Sequence, residues 1–542
     1  MTPIVIASVC LLSVIIAKGA VSLDATDGSS VIQDSDPAIK QAAGAGADTP
    51  GGKALEIFAA GEHEKAVGLA KPLADKGDPI AIYIMGFAHE TGQGTETSSV
   101  KAIEYYRRGA DANHADSIYR LASILMSSGQ KDRVEEGRKL MEKQAGIDPA
   151  VSGRILGEAF LTGRLTGEPA PETAVSWWKK AADAGDVPSM FLLARFYDGQ
   201  LGQPSFKDTK LAYGYFLKAA EKGDPASMVA VGSRLLNSDV VKRDEEKATI
   251  WLDKAIKGKD YTAHLALGDY TENVKKDLKA ALSSYTLGAE AGQSDCMVRA
   301  AVFHLEGKGT DKDKSRGIEL LNKAAKAENV QAHLMLAAIL LEEESPDLGK
   351  GYSHLLAASN GGLVQAQNEL GLFYLSGKLG LADISAAASW FTRAAQGGFA
   401  AAQNNLAALF ERGAGVEQSY EKAGQLYSLA AQQGNASATL ALARFHAAGA
   451  ATKVNRELAW ALATLSVERG EKENGATLVK EIEKEFTKEQ LAAAKKELEK
   501  IKTEKPAIAP ADKPADKPAD KPAVAPADKP AVAPADAPVD KP

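Results

Sequence analysis

Eight histidines are the side chains of this 542-residue sequence best suited to bind a metal ion or act as a general base. Three of them stand at one point of a recurring pattern where other copies have aromatic residues: His89, His304 and His446 align with Tyr197, Tyr374 and Phe410. We therefore predict that they fill aromatic packing positions. They cannot share one ion, because they lie many helices apart and each packed helix layer adds about 8–10 Å.

Two stretches come close to catalytic motifs, and both fail at a required residue. Gly371 to Lys378 has five residues between its glycines where a phosphate-binding loop has four, and Leu379 stands where a magnesium-binding Ser or Thr belongs. The run from Gly351 to His354 continues with leucine instead of the glycine of a nucleophile elbow. HExxH and paired CxxC motifs are absent from the sequence. We expect no catalytic, cofactor or metal site, and no enzyme activity.

Cysteine chemistry is equally limited. The chain has two cysteines, and Cys10 lies in an apolar run at the amino end. If that run is removed, Cys296 is alone and cannot form an intramolecular disulfide. Its position in the recurring pattern admits only Ala, Ser and Cys, so we predict a small buried core residue.

The pattern itself is clearest between residues 401 and 436, AAQNNLAALFERGAGVEQSYEKAGQLYSLAAQQGNA. Apolar residues four apart predict a first helix that ends at Gly413, where a tight turn requires positive φ. A second helix is predicted to begin at Ser419, a good N-cap residue, and to end near Gly434. Each helix carries one apolar stripe that only neighbouring helix pairs can cover.

Small residues recur at fixed points along most of the chain. The position of Ala407, called here the Gly/Ala position, recurs every 33 to 38 residues. Its occupants are Gly86, Ala122, Gly157, Ala194, Gly232, Gly268, Ala301, Ala337, Gly371, Ala407 and Ala443. Small residues let helices approach closely, and bulky pairs such as Trp177 and Trp178 fill the volume between them. The sequence therefore predicts an all-α chain, an α-solenoid of about twelve helix-turn-helix repeats.

These repeats resemble the Sel1-like family, relatives of the tetratricopeptide repeat, most clearly at 173–185, 366–377 and 402–415. In the tetratricopeptide fold the first helices line a concave groove, and positions −6, −3, +1 and +4 from the Gly/Ala position face the ligand. The resemblance implies that a protein or peptide partner contacts these positions. They include Tyr83, Phe87, Tyr119, Arg154, Arg195, Asn368, Asn404 and Arg444. Tyr83 and Phe87 also fit a role in packing on the preceding hairpin.

The remaining segments predict export and a capped repeat array. We assign 1–22 as a signal peptide, 23–52 as a flexible leader, 53–470 as the repeats, 471–505 as capping helices and 506–542 as a disordered Pro-rich tail. The start MTP lacks Lys and Arg, so an uncleaved anchor stays an alternative to the cleaved signal. No second apolar span follows. The Ala-rich composition and the repeated ADKP of the tail look bacterial, which suggests a periplasmic or secreted protein.

Three functions are compatible with these features. The net charge of −7 counts against nucleic-acid binding. An exported scaffold or adaptor, holding a protein or peptide in the groove in envelope assembly or signalling, is the leading hypothesis, and the family resemblance supports it. A binding protein or enzyme acting on cell-wall or polysaccharide material is the second, and it requires carboxylates and aromatic residues clustered in one groove. The Pro-rich tail is a separate candidate contact with such material. A purely structural spacer is the third.

Overall fold

The computed structural model describes residues 48–237, 240–378, 380 and 382–503, and within them every regular element is helical. The chain divides into two compact units, Met1–Ser284 and Tyr285–Pro542. The helices before the division are α1 Pro50–Ala59, α2 His63–Asp75, α3 Pro79–Thr91, α4 Ser99–Asp111, α5 Ala115–Met126, α6 Lys131–Ala145, α7 Pro149–Leu161, α8 Pro171–Asp183, α9 Val187–Tyr197, α10 Thr209–Glu221, α11 Pro225–Asn237, α12 Glu245–Lys257 and α13 Thr262–Tyr270.

Helix α14, Leu278–Glu290, contains the division between the units. The second unit continues with α15 Ser294–Glu306, α16 Lys314–Lys326, α17 Val330–Glu342, α18 Leu348–Asn360, α19 Val364–Ser376, α20 Ile384–Gln396, α21 Ala400–Arg412, α22 Tyr420–Gln432, α23 Ala436–Ala448, α24 Arg456–Glu468, α25 Lys472–Glu483 and α26 Lys488–Thr503. In chain order, α1 to α24 form twelve successive pairs. Six pairs are contacting hairpins in the first unit and five in the second. The predicted all-α solenoid of helix-turn-helix repeats is confirmed.

The hairpin α21–α22 forms as its sequence predicts. Helix α21 ends at Arg412, and Gly413 follows with φ of 67°, a left-handed conformation that favours glycine. Ser419 caps α22 by accepting a hydrogen bond from the backbone N–H of Lys422 at 3.3 Å. A second glycine, Gly434, has φ of 89° just after α22. Local sequence signals therefore determine both ends of this hairpin.

Close packing explains the Gly/Ala position. A Cβ atom on Gly157 would lie 2.4 Å from the indole of Trp178, and one on Gly371 would lie 2.6 Å from the ring of Phe391. Both rings are fully buried. In these two hairpins the aromatic ring of the second helix thus lies directly on the backbone of the first helix, and a side chain at Gly157 or Gly371 would overpack the contact.

The first helix begins three residues before the predicted boundary at 53. Thr49 accepts a hydrogen bond from the N–H of Gly52 at 3.0 Å, and Pro50 occupies the first helical position, where its fixed φ suits a helix start. The predicted signal peptide, most of the predicted leader and the predicted Pro-rich tail lie outside the described residues.

Two helices follow the last hairpin, as the sequence predicts for a cap. Thr487 and Gln490 form a capping box, with Thr487 N–H donating to Gln490 Oε1 at 3.0 Å and Gln490 N–H donating to Thr487 Oγ1 at 3.3 Å. Ile482 of α25 and Leu498 of α26 are buried in one cluster with Trp460 of α24. The two helices therefore cover the apolar face that the last hairpin would otherwise expose.

The packing interpretations of Cys296 and His89 are confirmed. Cys296 is fully buried. His89 is 6% exposed, and its ring stacks on Tyr105 with centroids 5.8 Å apart. Its Nδ1 lies 3.0 Å from the backbone oxygen of Glu96, so Nδ1 carries a proton and donates it to that carbonyl. Both side chains are therefore part of the packed interior.

Candidate partner-binding surface

The first helices of consecutive hairpins contact one another in the first unit. The contacting pairs are α1 with α3, α3 with α5, α5 with α7, α7 with α9, and α11 with α13. Each unit presents a surface formed by its own first helices at positions −3, −2, +1 and +4 from the Gly/Ala position, and we call it the first-helix surface of that unit.

Two residues at position −3 link their hairpin to the next one. The hydroxyl of Tyr119 on α5 donates to Asp148 Oδ2 at 2.5 Å, and burial together with this hydrogen bond raises the pKa of Tyr119 to about 12. Arg154 on α7 forms an ion pair with Asp186, with Nε and Oδ2 3.3 Å apart. Asp148 and Asp186 are the N-cap residues of the next first helix. These side chains therefore join neighbouring hairpins.

Three of the eight predicted contact residues are buried. Tyr83, Phe87 and Asn368 are only 2%, 6% and 3% exposed. Phe87 packs edge-on against Phe58, with ring centroids 5.8 Å apart, in the preceding hairpin. The Oδ1 atom of Asn368 accepts a hydrogen bond from Asn405 in the next hairpin at 3.0 Å. These three side chains pack between hairpins, and partner contact by them stays a prediction.

The other five predicted residues reach the surface to different degrees. Tyr119, Arg154 and Arg195 are half-buried in the first unit, and in the second unit Asn404 is half-buried and Arg444 is exposed. Arg195 Nε donates to Gln200 Oε1 at 3.1 Å, and desolvation lowers the pKa of its guanidinium. Partner binding by these five residues stays a prediction.

Two carboxylates on the first-helix surface were not predicted. Glu158, at position +1 on α7, is half-buried, and desolvation raises its pKa although Arg154 and Arg164 act in the opposite direction. Glu369, at position −2 on α19, is exposed, yet the surrounding chain displaces enough water to raise its pKa. Glu158 could have been found from its +1 position, whereas −2 was not among the positions considered.

Exposed apolar area accompanies Glu369. Leu372, at position +1 of the same helix, is 37% exposed. The first-helix surface thus offers charged groups in the first unit and a carboxylate beside an apolar side chain in the second. A carboxylate beside an exposed apolar side chain, as at Glu369 and Leu372, suits recognition of a polypeptide, whose interfaces combine apolar anchors with polar contacts.

His114 gives the first unit a pH-dependent helix cap. Its Nδ1 accepts from the N–H of Ser117 at 3.4 Å and lies 3.1 Å from Ser117 Oγ, and its ring lies 5.4 Å from that of Tyr83. Burial lowers the pKa of His114, although Asp116 and Asp78 act in the opposite direction. Protonation would turn the accepting nitrogen into a donor and remove the cap.

We expect the wild-type chain to lose more stability than His114→Asn between about pH 8 and about pH 5. A lowered folded-state pKa means that the unfolded chain binds the proton first, so this contribution is present above the unfolded pKa and is lost as the pH falls. The difference should be about 1 kcal/mol, the typical value of an N-cap. Urea denaturation at both pH values measures it. Equal losses in the two proteins would contradict the neutral cap, since Asn also caps α17 and α23 without titrating.

Neither a metal ion nor a membrane has an evident binding element in the part of the chain that the structure describes. No three His, Cys, Asp or Glu side chains converge there in a way that could hold a metal ion. Nor does that part of the chain contain a helix long and apolar enough to cross a membrane.

Comparison with family models gives eight matches to the Sel1 repeat, which together cover more than half of the chain. They span 79–114, 154–186, 187–224, 225–260, 294–329, 364–399, 400–435 and 436–471. The hairpins α1–α2, α5–α6 and α17–α18 fall outside these matches. The structure therefore extends the repeat architecture beyond the stretches that sequence comparison matches.

Two curated relatives share part of the chain. The chitin synthase regulator SKT5 of Saccharomyces cerevisiae is 28% identical over 231 residues, 40% of this chain and 32% of that protein. Chitin synthase regulatory factor 3 of Schizosaccharomyces pombe is 24% identical over 240 residues, 42% of this chain and 26% of that protein. The chain thus spans about a third or less of the length of these relatives.

Solved structures with similar folds include two bacterial repeat proteins. The crystal structure of c5321, a protective antigen of uropathogenic Escherichia coli with an SLR fold, is 22% identical and covers 80% of this chain and 94% of that one, with a TM-score of 0.46. A Sel1 repeat protein from Oxalobacter formigenes is 24% identical and covers 60% of this chain and 93% of that one, with a TM-score of 0.41.

Proposed function

We propose that this chain, which belongs to the Sel1 repeat family, acts as a scaffold or adaptor that holds a protein partner on its first-helix surface. The observation that carries the proposal is the presentation of Arg154, Glu158 and Arg195 on α7 and α9 of the first unit, all half-buried. Partly buried arginines anchor many protein interfaces. A scaffold needs no reacting group, and the partner supplies any chemistry.

Export is part of the proposal. The apolar run at 4–17 followed by small residues supports a signal peptide and hence a periplasmic or secreted location. Within such a compartment the chain would act in envelope assembly or signalling. Two curated relatives are named as regulators of chitin synthase, an enzyme that makes a polysaccharide. Their names favour a partner that takes part in building envelope polysaccharide.

A second candidate is direct binding to cell-wall or polysaccharide material. The Pro-rich sequence at 506–542 supports it, as the part of the chain that would contact such a polymer. The two candidates differ in which part of the chain is required. The adaptor needs the first-helix surface, whereas polysaccharide contact through the tail does not.

Charge reversal on the first-helix surface should remove the partner. We expect the double variant Glu158→Lys with Arg195→Glu to capture at least about tenfold less partner than wild type in a crosslinking pull-down from envelope extract, because a hot-spot arginine is typically worth about 2 kcal/mol or more. Mass spectrometry identifies the protein that depends on the surface. The bait is residues 23–542, and circular dichroism checks its fold.

A matched control keeps the same net charge. Glu221→Lys with Lys222→Glu makes the same two kinds of substitution at exposed positions at the end of α10, a second helix. It should capture the partner as wild type does. Equal capture by all three baits would refute binding at the first-helix surface. Capture of glycan-bearing fragments alone, lost when residues 506–542 are deleted, would favour the polysaccharide candidate.

A further inference from the structure

Two histidines face each other across the hairpin α17–α18 of the second unit. His333 on α17 and His354 on α18 are both half-buried, and their Nδ1 atoms are 2.9 Å apart. The ring centroids are 5.0 Å apart and the ring planes are inclined by 44°. Two imidazole nitrogens at this separation must share a proton, because two facing lone pairs would repel each other.

The proton can be placed from the other contact of His333. Its Nε2 lies 3.1 Å from the backbone oxygen of Ala325, so Nε2 carries a proton and donates it. Gln367 and Gln403 stand at the same position of their repeats, and their amides also donate to carbonyl oxygens eight residues earlier. His333 Nδ1 is therefore an acceptor, and in the neutral pair His354 Nδ1 carries the shared proton.

We propose that His333 and His354 bind one divalent transition-metal ion through their Nδ1 atoms. Imidazole nitrogens suit Zn²⁺, Cu²⁺ and Ni²⁺. The bond from His333 Nε2 to a carbonyl fixes the ring and its tautomer, which is the usual support of a metal-binding histidine. This site does not depend on the adaptor function.

The Nδ1–Nδ1 distance requires a small adjustment, and the two rings must turn so that both lone pairs point at the ion. Two nitrogens bound to tetrahedral zinc at about 2.0–2.1 Å lie about 3.3–3.4 Å apart, so the Nδ1 atoms must separate by about 0.4–0.5 Å. The proton of His354 moves from Nδ1 to Nε2, which frees the second lone pair without net proton release. The ion then replaces the shared proton and joins α17 to α18.

The chain supplies two ligands and leaves the other coordination positions to water or an outside ligand. Among the described residues no third His, Cys, Asp or Glu completes a cluster. The ion is therefore bound more weakly than in a closed structural zinc site, which has four protein ligands. It stabilises one hairpin and stays open to exchange.

The test measures Zn²⁺ binding to the tag-free full chain by isothermal titration calorimetry and the accompanying shift in Tm. In His333→Gln an amide can still donate to the backbone oxygen of Ala325, as the amides of Gln367 and Gln403 do at the same position of their own repeats. His354→Leu introduces leucine, which is the residue type at the same position of α22, Leu426. His264→Gln, a substitution of a single histidine on α13, is the control. Wild type and the control should bind one ion in the micromolar range and gain Tm.

Each variant of the pair should bind Zn²⁺ at least about tenfold more weakly, since loss of an outer-shell partner alone typically costs about 10–100-fold. Long-range ¹⁵N–¹H correlation spectra should also show that the His354 proton moves to Nε2 when Zn²⁺ is added. Wild-type affinity no higher than that of either variant would overturn the site. So would saturation with Zn²⁺ that leaves the His354 tautomer unchanged.

Discussion

Replacing Trp178 with alanine is expected to lower the free energy of unfolding by about 3–5 kcal/mol, the range for truncating a buried tryptophan. The side chain is fully buried, lies on the backbone of Gly157 and meets Phe196 edge-on at 6.1 Å. Its Nε1–H donates to the backbone oxygen of Arg154 at 3.3 Å. Alanine would leave a cavity between α7 and α8 and remove this hydrogen bond. Urea denaturation followed by circular dichroism measures the loss.

The neighbouring Trp177 provides the matched control. It is half-buried, and Lys180 Nζ lies 4.0 Å from its ring centroid. Trp177→Ala should cost no more than about 1–2 kcal/mol, because it removes a partly exposed surface and a cation–π contact. Equal losses for the two variants would contradict the assignment of the main packing role to Trp178. Repeats couple mainly to their neighbours, so the first unit of Trp178→Ala could unfold at a lower urea concentration than the rest of the chain. Such a separate transition would still agree with the assigned role of Trp178.

The structure shows which features of the core the sequence could predict. Recurrence was enough to locate the Gly/Ala position and the bulky pairs, because a position that always admits one kind of residue must touch something. Recurrence did not show which member of each bulky pair faces the first helix. Successive residues on a helix point about 100° apart, so only one can face the first helix. In the structure this is the second member, as in Trp178 and Phe391, while Trp177 and Trp390 are half-buried.

The first-helix surface was predictable only as a set of positions. The contacts of Tyr119 with Asp148 and of Arg154 with Asp186 join residues about 30 positions apart, and they depend on the register between neighbouring hairpins. No local pattern encodes that register. The rule taken from the tetratricopeptide fold therefore could not distinguish residues that join neighbouring repeats from residues that are available to a partner.

Asn368 shows how the residue type at the next N-cap changes such a contact. It stands at position −3 of α19, where an N-cap carboxylate of the next first helix would be its partner. The N-cap of α21 is Phe399, which has no polar group to offer. The amide of Asn368 bonds instead to Asn405 and Glu369. Its burial followed from a residue 31 positions away, which the inspection of position −3 alone could not reveal.

Replacing Glu90 with leucine should destabilise the first unit by about 2–4 kcal/mol, because it removes the acceptor of a buried hydroxyl and the carboxylate of an ion pair in which Glu90 is half-buried. Glu90 Oε2 accepts a hydrogen bond from the hydroxyl of the fully buried Tyr106 at 2.5 Å. Its other oxygen faces Arg120, which is 8% exposed, with Nη1 and Oε1 3.6 Å apart. Burial, followed by the charge of Glu90, raises the pKa of Tyr106, so this phenol stays protonated and needs its acceptor.

Glu411 distinguishes the contribution of the tyrosine hydroxyl from that of the arginine, because it has the first partner and lacks the second. Its Oε2 accepts from the hydroxyl of Tyr427 at 2.7 Å, but the residue that corresponds to Arg120 in the next hairpin is Ala441. Glu411→Leu should therefore cost only about 1–3 kcal/mol, the value of leaving one buried hydroxyl unsatisfied. Urea denaturation of both variants measures the difference. If Glu411→Leu proved as costly as Glu90→Leu, the buried guanidinium would contribute nothing beyond the phenol, and the ion pair of the first unit would have no net role in its stability.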